Sequence, residues 1–212
     1  MATTHGYDVH TGPATGAAPA QPVAARIVPA QIVPVQAGPA VPTQPAEQRA
    51  VNRPAERAWA ITRIGLGFIF LWAFVDKTFG LGFATLTERA WLTGASPTTG
   101  FLKGTGENAL GGVFGALAGQ GWVDWLFMLG LLGVGTALLL GIGLRIAAVA
   151  GGLMMILMWA AELPLQNNPV LDDHLIYTAV LAGLALAGAG TTWGIGTWWA
   201  TTPLVRRYPI LR

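Results

Sequence analysis

Four stretches of this chain, roughly residues 58 to 76, 122 to 142, 145 to 163 and 173 to 191, consist mostly of Leu, Ile, Val, Met, Ala, Phe and Gly. Crossing hydrocarbon takes about 20 residues at about 1.5 Å of helical rise each. No water is present there to satisfy backbone N–H and C=O groups, so each stretch must bond within itself as a helix. The expected fold is therefore an all-α membrane protein, a four-transmembrane-helix bundle. Pro164 and the Asn167-Asn168-Pro169 turn separate the third helix from the fourth. Gly143 and Leu144 alone link the second to the third, which demands an antiparallel hairpin. Charge usage agrees: 10% of residues are charged, against about 25% in soluble domains. Cysteine is absent, which excludes disulfides, thiolate metal sites, iron–sulfur clusters, covalently attached haem and a cysteine nucleophile. With only three histidines, no metal or haem site is expected, and nothing implies nucleic acid as a partner.

Residues 1 to 57 are different in kind. The chain has 14 prolines, most of them in this segment, while every tryptophan lies at or beyond Trp59. Proline removes backbone donors, and the accompanying Ala, Val and Gln offer little to bury, so a disordered cytoplasmic tail is expected. Within it Ile27-Val28-Pro29-Ala30-Gln31 is nearly repeated as Ile32-Val33-Pro34-Val35-Gln36, a spacer or a docking motif. No continuous apolar core of a cleavable signal precedes the first helix, which then serves as its own insertion signal. The membrane domain runs from 58 to 200, with an outer cap at 77–121, and 201–212 form a basic C-terminus.

Orientation follows from the basic residues. A cytoplasmic N-terminus collects Arg26, Arg49, Arg53, Arg57, Arg63, Arg145, Arg206, Arg207 and Arg212 inside, leaving Lys77, Arg89 and Lys103 outside. Both termini are thus expected in the cytoplasm of a multi-pass cell-membrane protein. Tryptophans near the expected helix ends, such as Trp59, Trp72, Trp122 and Trp159, match an interfacial aromatic belt. Small residues at four-residue spacing, Gly133-Ala137-Gly141 and Gly143-Ala147-Gly151, predict close helix packing. Gly111, Gly115 and Gly119 repeat that spacing in a stretch too short to cross, read as interfacial or re-entrant. Thr85-Leu86-Thr87-Glu88 matches a capping box that would open a short surface helix ending near Leu92.

Ionisable groups at membrane depth are costly and therefore mark candidate sites. Asp76 and Lys77 end the first helix, Glu162 ends the third, and Asp172, Asp173 and His174 open the fourth, with Tyr177 one turn further in. On a helix Asp173, His174 and Tyr177 share a face, an arrangement suited to handling protons or, more simply, an interfacial histidine with an anchoring tyrosine. Asp172 is placed to cap the fourth helix, and Asp76 with Lys77 can form an interfacial pair. Arg63, inside the opposite boundary, must snorkel, pair or bind an anion. Arg145 at the hairpin serves as an orientation signal.

These motifs carry a resemblance. The run Arg63-Ile64-Gly65-Leu66-Gly67-Phe68-Ile69-Phe70 leading to Asp76-Lys77, and Gly141-Ile142-Gly143-Leu144-Arg145-Ile146-Ala147-Ala148, resemble the DoxX/DoxD membrane family. Ala90 to Thr98, Leu153 to Trp159 and Asn167 to Tyr177 look like its branch described as the large subunit of thiosulfate dehydrogenase (quinone). The resemblance covers about 59 to 191. It implies a subunit of a quinone-linked oxidoreductase that passes electrons from thiosulfate or a similar sulfur compound, at the outer face, to menaquinone or ubiquinone. With no haem, metal or iron–sulfur cluster of its own, such a chain needs direct contact of substrate and quinone, or a relay in a partner. In that scheme His174, Asp173 and Glu162 exchange protons, Tyr177 hydrogen-bonds a quinone carbonyl, and Lys77, with Asp76 beside it and Arg89 or Lys103 nearby, attracts the anionic substrate. The alternative expectation is a non-catalytic scaffold or accessory subunit that packs against a respiratory partner, or against further copies of itself, through its small-residue faces. A small transporter is a third, disfavoured by the lack of an inverted repeat.

Overall fold

The computed structural model describes the backbone of residues 46–211 and side chains from Arg53 onward. The near-repeat and most of the expected tail lie outside the described residues. Among those described there are helices and turns and no strand. Three helices are long and apolar enough to cross a membrane: α1 (Ala46–Phe79), whose apolar part is Arg53–Phe79; α4 (Gly121–Leu140); and α5 (Leu144–Ala161). Between α1 and α4 lie α2 (Thr99–Gly104) and α3 (Gly111–Leu117). The chain closes with α6 (Asp173–Leu186), α7 (Gly196–Thr201) and α8 (Pro203–Arg207).

The helices pack in chain order, α1 on α4, α4 on α5 and α5 on α6. Leu66 and Phe70 of α1 meet Met128, Leu131, Val134 and Leu138 of α4, and Met155 of α5 meets Leu181 and Leu184 of α6 in one apolar core. Yet only 28% to 33% of each spanning segment is buried against the rest of the protein. Phe68, Ile69, Leu129, Val149, Ile156 and Ile176 point outward. A rim of that composition suits a lipid bilayer and would be an aggregation face in water.

Several boundaries differ from the expected ones, each for a local reason. Helix α1 begins at Ala46 rather than 58, running through Pro54, so the segment 46–57 is helical. Helix α4 stops at Leu140 because Gly141 turns left-handed at φ 74. The fourth apolar helix ends at Leu186 instead of 191, where Gly188 (φ 61) opens a glycine-rich loop. Its 14 residues rise about 21 Å, short of the about 30 Å of hydrocarbon. The expected capping box is absent: two 3-10 turns, Thr87–Arg89 and Trp91–Thr93, occupy that stretch, and Leu86 at the cap position bonds through no side chain. Within the cap, Gly111 and Gly115 lie in the short helix α3 and Gly119 follows it. The basic C-terminus is folded, with Val205 fully buried.

The small-residue prediction holds in part. Gly133 is exposed, with nothing near it that an added Cβ would meet. The close approach of α1 and α4 falls instead at Gly67 and Gly135. A Cβ at Gly135 would lie 2.7 Å from the Leu71 amide nitrogen, and one at Gly67 would lie 2.9 Å from the Leu138 Cβ. Gly151 behaves as expected, admitting Leu181 and Val134. Gly141 also packs, but against Gly190 and the Arg63 guanidinium.

Candidate functional site

Two ends of the molecule hold nearly all its polar chemistry. At the base, where α4 and α6 end and α5 begins, Arg63 is wholly buried. It neither snorkels nor meets an anion. Its Nη1 donates to the Leu138 carbonyl and, at 3.0 Å, to that of Leu139; its Nη2 donates to the Thr192 (3.1 Å) and Trp193 (2.9 Å) carbonyls. A helix leaves its last carbonyls without partners and carries partial negative charge at that end, so a guanidinium fork is the matching group. The Ile195 amide takes the Leu140 carbonyl at 2.9 Å. Arg63 is thus a tie that fixes the end of α4 to the loop after α6, and Trp193 is held left-handed (φ 52) within it. Arg145, exposed, donates to the Pro209 carbonyl at 3.2 Å and helps hold the C-terminus.

At the head, α1 and α5 end and α4 and α6 begin. Asp124, in the first turn of α4, is buried and accepts from Ser96 Oγ (2.7 Å), Thr98 Oγ1 (2.6 Å) and the Thr98 amide (3.3 Å). A carboxylate there complements the positive end of the helix and anchors the cap. Asn108 Nδ2 donates to the Ala161 carbonyl at 2.9 Å, and the Ala109 amide to Leu163, tying the cap to α5 as well. The anchoring role of Asp124 has a weak sequence signal: an acidic residue just inside an apolar helix, with hydroxyl residues in the preceding loop.

Asp172 caps α6, its Oδ1 accepting from the Leu175 amide at 3.1 Å. Its Oδ2 lies 2.7 Å from His174 Nδ1. Burial alone would raise the Asp172 carboxyl, but the bonds from His174 and the Leu175 amide, with attraction to the imidazole, bring it below its ordinary value. Asp173 points outward, its side chain 73% exposed and Oδ1 3.7 Å from the same Nδ1. Tyr177 packs against the apolar core. The expected Asp173-His174-Tyr177 group therefore does not converge: the partner of His174 is Asp172, the extended cap residue before the helix, whose carboxylate reaches both the Leu175 amide and the ring. Glu162 caps the C-terminus of α5, and one ligand atom each from Glu162, Asp172 and His174 lies within 4.8 Å of the others.

The expected anion-attracting group is also dispersed. Asp76 is only 1% exposed, with Oδ1 3.4 Å from the Phe83 amide and Oδ2 unpartnered, so it cannot meet a substrate. Arg89 and Lys103 are exposed and line neither cavity described here. Lys77 turns the other way from these, into an apolar cavity of about 360 Å³ between α4, α5 and the cap. Phe101, Phe114, Phe127, Met154 and Met158 form its walls. A second, polar cavity of about 610 Å³ lies between the cap and the α5–α6 loop, bordered by Asn108, Glu162, Asp172 and Asp173. Phe101 lines both. No known protein family, curated protein or solved structure matches this chain.

Proposed function

We propose that this chain is the quinone-binding membrane subunit of an oxidoreductase, with α1, α4 and α5 crossing the bilayer, α6 together with the glycine-rich loop after it completing a fourth crossing, and both termini cytoplasmic. The observation that carries this reading is the apolar cavity with one ammonium in its wall. A quinone ring is flat and apolar apart from its carbonyl oxygens. Phenylalanine rings and thioethers suit its faces, and Lys77 offers a donor to one carbonyl. The volume falls in the usual range of about 300–1,000 Å³ for small-ligand sites. Leu126, Leu153 and Leu157 line the cavity and are also exposed on the outer surface of α4 and α5. An isoprenoid tail has a lateral way out to lipid between those helices.

Quinone, when bound, takes up two electrons and two protons. The chain's own residues orient it through Lys77, exclude water with the phenylalanine cluster, and exchange protons by way of the polar cavity on the far side of Phe101, where Asp173 lines the wall. This moves the quinone contact from Tyr177 to Lys77. The polar cavity is bordered by three carboxylates, which repel a dianion, so thiosulfate or another anionic sulfur donor belongs on a partner subunit that supplies the electrons. Basic residues concentrated at the base support the orientation.

The test is binding of menaquinone and ubiquinone to the full-length protein in lipid nanodiscs. Lys77→Met should weaken binding at least tenfold while leaving the melting temperature unchanged. Wild-type protein that takes up neither quinone would overturn the reading and leave the scaffold alternative standing.

A further inference from the structure

We propose that Glu162, Asp172 and His174 bind one divalent transition-metal cation at the edge of the polar cavity. The three residues come from the end of α5 and the start of α6, brought together by the turn at Asn168, whose Oδ1 accepts from the Val170 (3.0 Å) and Leu171 (2.9 Å) amides. Their donor atoms, one ring nitrogen and two carboxylate oxygens, already lie within 4.8 Å of one another. Bonds of about 2.0–2.2 Å to a common ion require a contraction that side-chain rotation can supply.

Charge and placement argue for a cation rather than a closed ion pair. Glu162, Asp172 and Asp173 set three carboxylates around one imidazole, leaving the cluster negative whichever way the ring titrates. The Asp172 carboxylate has an evident structural role as a cap, whereas Glu162 closes α5 through its backbone amide and its side chain has none. It sits at the C-terminal end of α5, where the helix dipole opposes a negative charge, and among the described residues its carboxylate makes no hydrogen bond or ion pair. The Leu175 amide holds Asp172 Oδ1, which orients Oδ2 toward Nδ1 and the space between them, as an outer-shell bond orients a ligand.

The cluster is sheltered without being closed: the His174 and Asp172 side chains are 13% and 14% exposed. Glu162 and Asp172 border the polar cavity, so water can complete the coordination. One imidazole with two carboxylates, in a chain without thiolates, selects Zn²⁺, Mn²⁺ or Fe²⁺ over the softer Cu⁺.

The experiment titrates Zn²⁺ calorimetrically into the purified full-length protein after removal of bound metal with EDTA. One equivalent per chain is expected. Glu162→Gln and His174→Gln should each weaken binding at least tenfold, and Glu162→Gln should keep the wild-type melting temperature because no contact is lost. Glu107→Gln, at an exposed cap carboxylate, should bind as wild type. Binding unchanged in Glu162→Gln, binding lost equally in Glu107→Gln, or no saturable Zn²⁺ binding would each overturn the assignment. Quinone uptake plays no part in this readout, so the two readings stand or fall separately.

Discussion

The base and the head of the molecule solve the same electrostatic problem in opposite ways. Each places charge at the boundary of an apolar medium, where an unmatched ion is expensive. At the base, Arg63 is matched by four backbone carbonyls and walled in by glycines of the α4–α5 turn and the loop after α6. Its Nε alone has no partner, but it is buried and Arg63 lines neither cavity, so nothing there faces a ligand. At the head, Lys77 borders an apolar cavity, and Glu162 borders a polar one. Charge that the protein buries against its own backbone holds structure together; charge left facing a cavity is available for chemistry. Asp124 shows that the head also contains structural charge, since its three donors account for its burial.

Substitutions should separate the two ends by what they damage. Arg63→Met should have the largest effect, because it strands buried carbonyls at about 1–3 kcal/mol each; the expected outcome is no folded protein recovered in detergent, checked by size-exclusion profile and helical content. Folded Arg63→Met with a near wild-type melting temperature would erase the contrast. Gly135→Leu should follow, since a side chain there meets the Leu71 backbone; overpacking costs about 1–3 kcal/mol or more, visible as a lowered melting temperature. Asp124→Ala should cost about 2 kcal/mol by leaving the Thr98 and Ser96 donors unpaired, and should loosen the cap to proteolysis before α1 and α4 separate. Glu162→Gln should be smallest, within about 0.5 kcal/mol of wild type in stability, while abolishing the metal response. A stability loss at Glu162 equal to that at Asp124 would make the head as structural as the base.

The helices, their order and the sharp turn between α4 and α5 were legible in the residues, because apolar runs, proline and left-handed glycines act locally. So was the capping role of Asp172, which needs only its own helix. Helix-surface reasoning failed where the partner is the cap residue just outside the helix, or comes from another segment. Asp173, His174 and Tyr177 share a face by spacing, yet the ring turns to Asp172 and Tyr177 turns to the core. Gly133 has the right spacing for packing, but α1 approaches at Gly135, and nothing in the sequence of α4 by itself says where Gly67 will fall.

By itself the sequence determined that the core of this chain is helical, that an apolar medium suits it, and that its few charges cluster at helix ends. Those properties follow from backbone hydrogen bonding and the cost of moving charge out of water, which each segment meets alone. Only the tertiary structure decided that Arg63 ties two segments by their carbonyls, that Lys77 borders a cavity while Asp76, its neighbour in the chain, is buried, and that Glu162 reaches Asp172 and His174. Each of those depends on where a remote backbone lies, to within an ångström or two, and that is settled by packing.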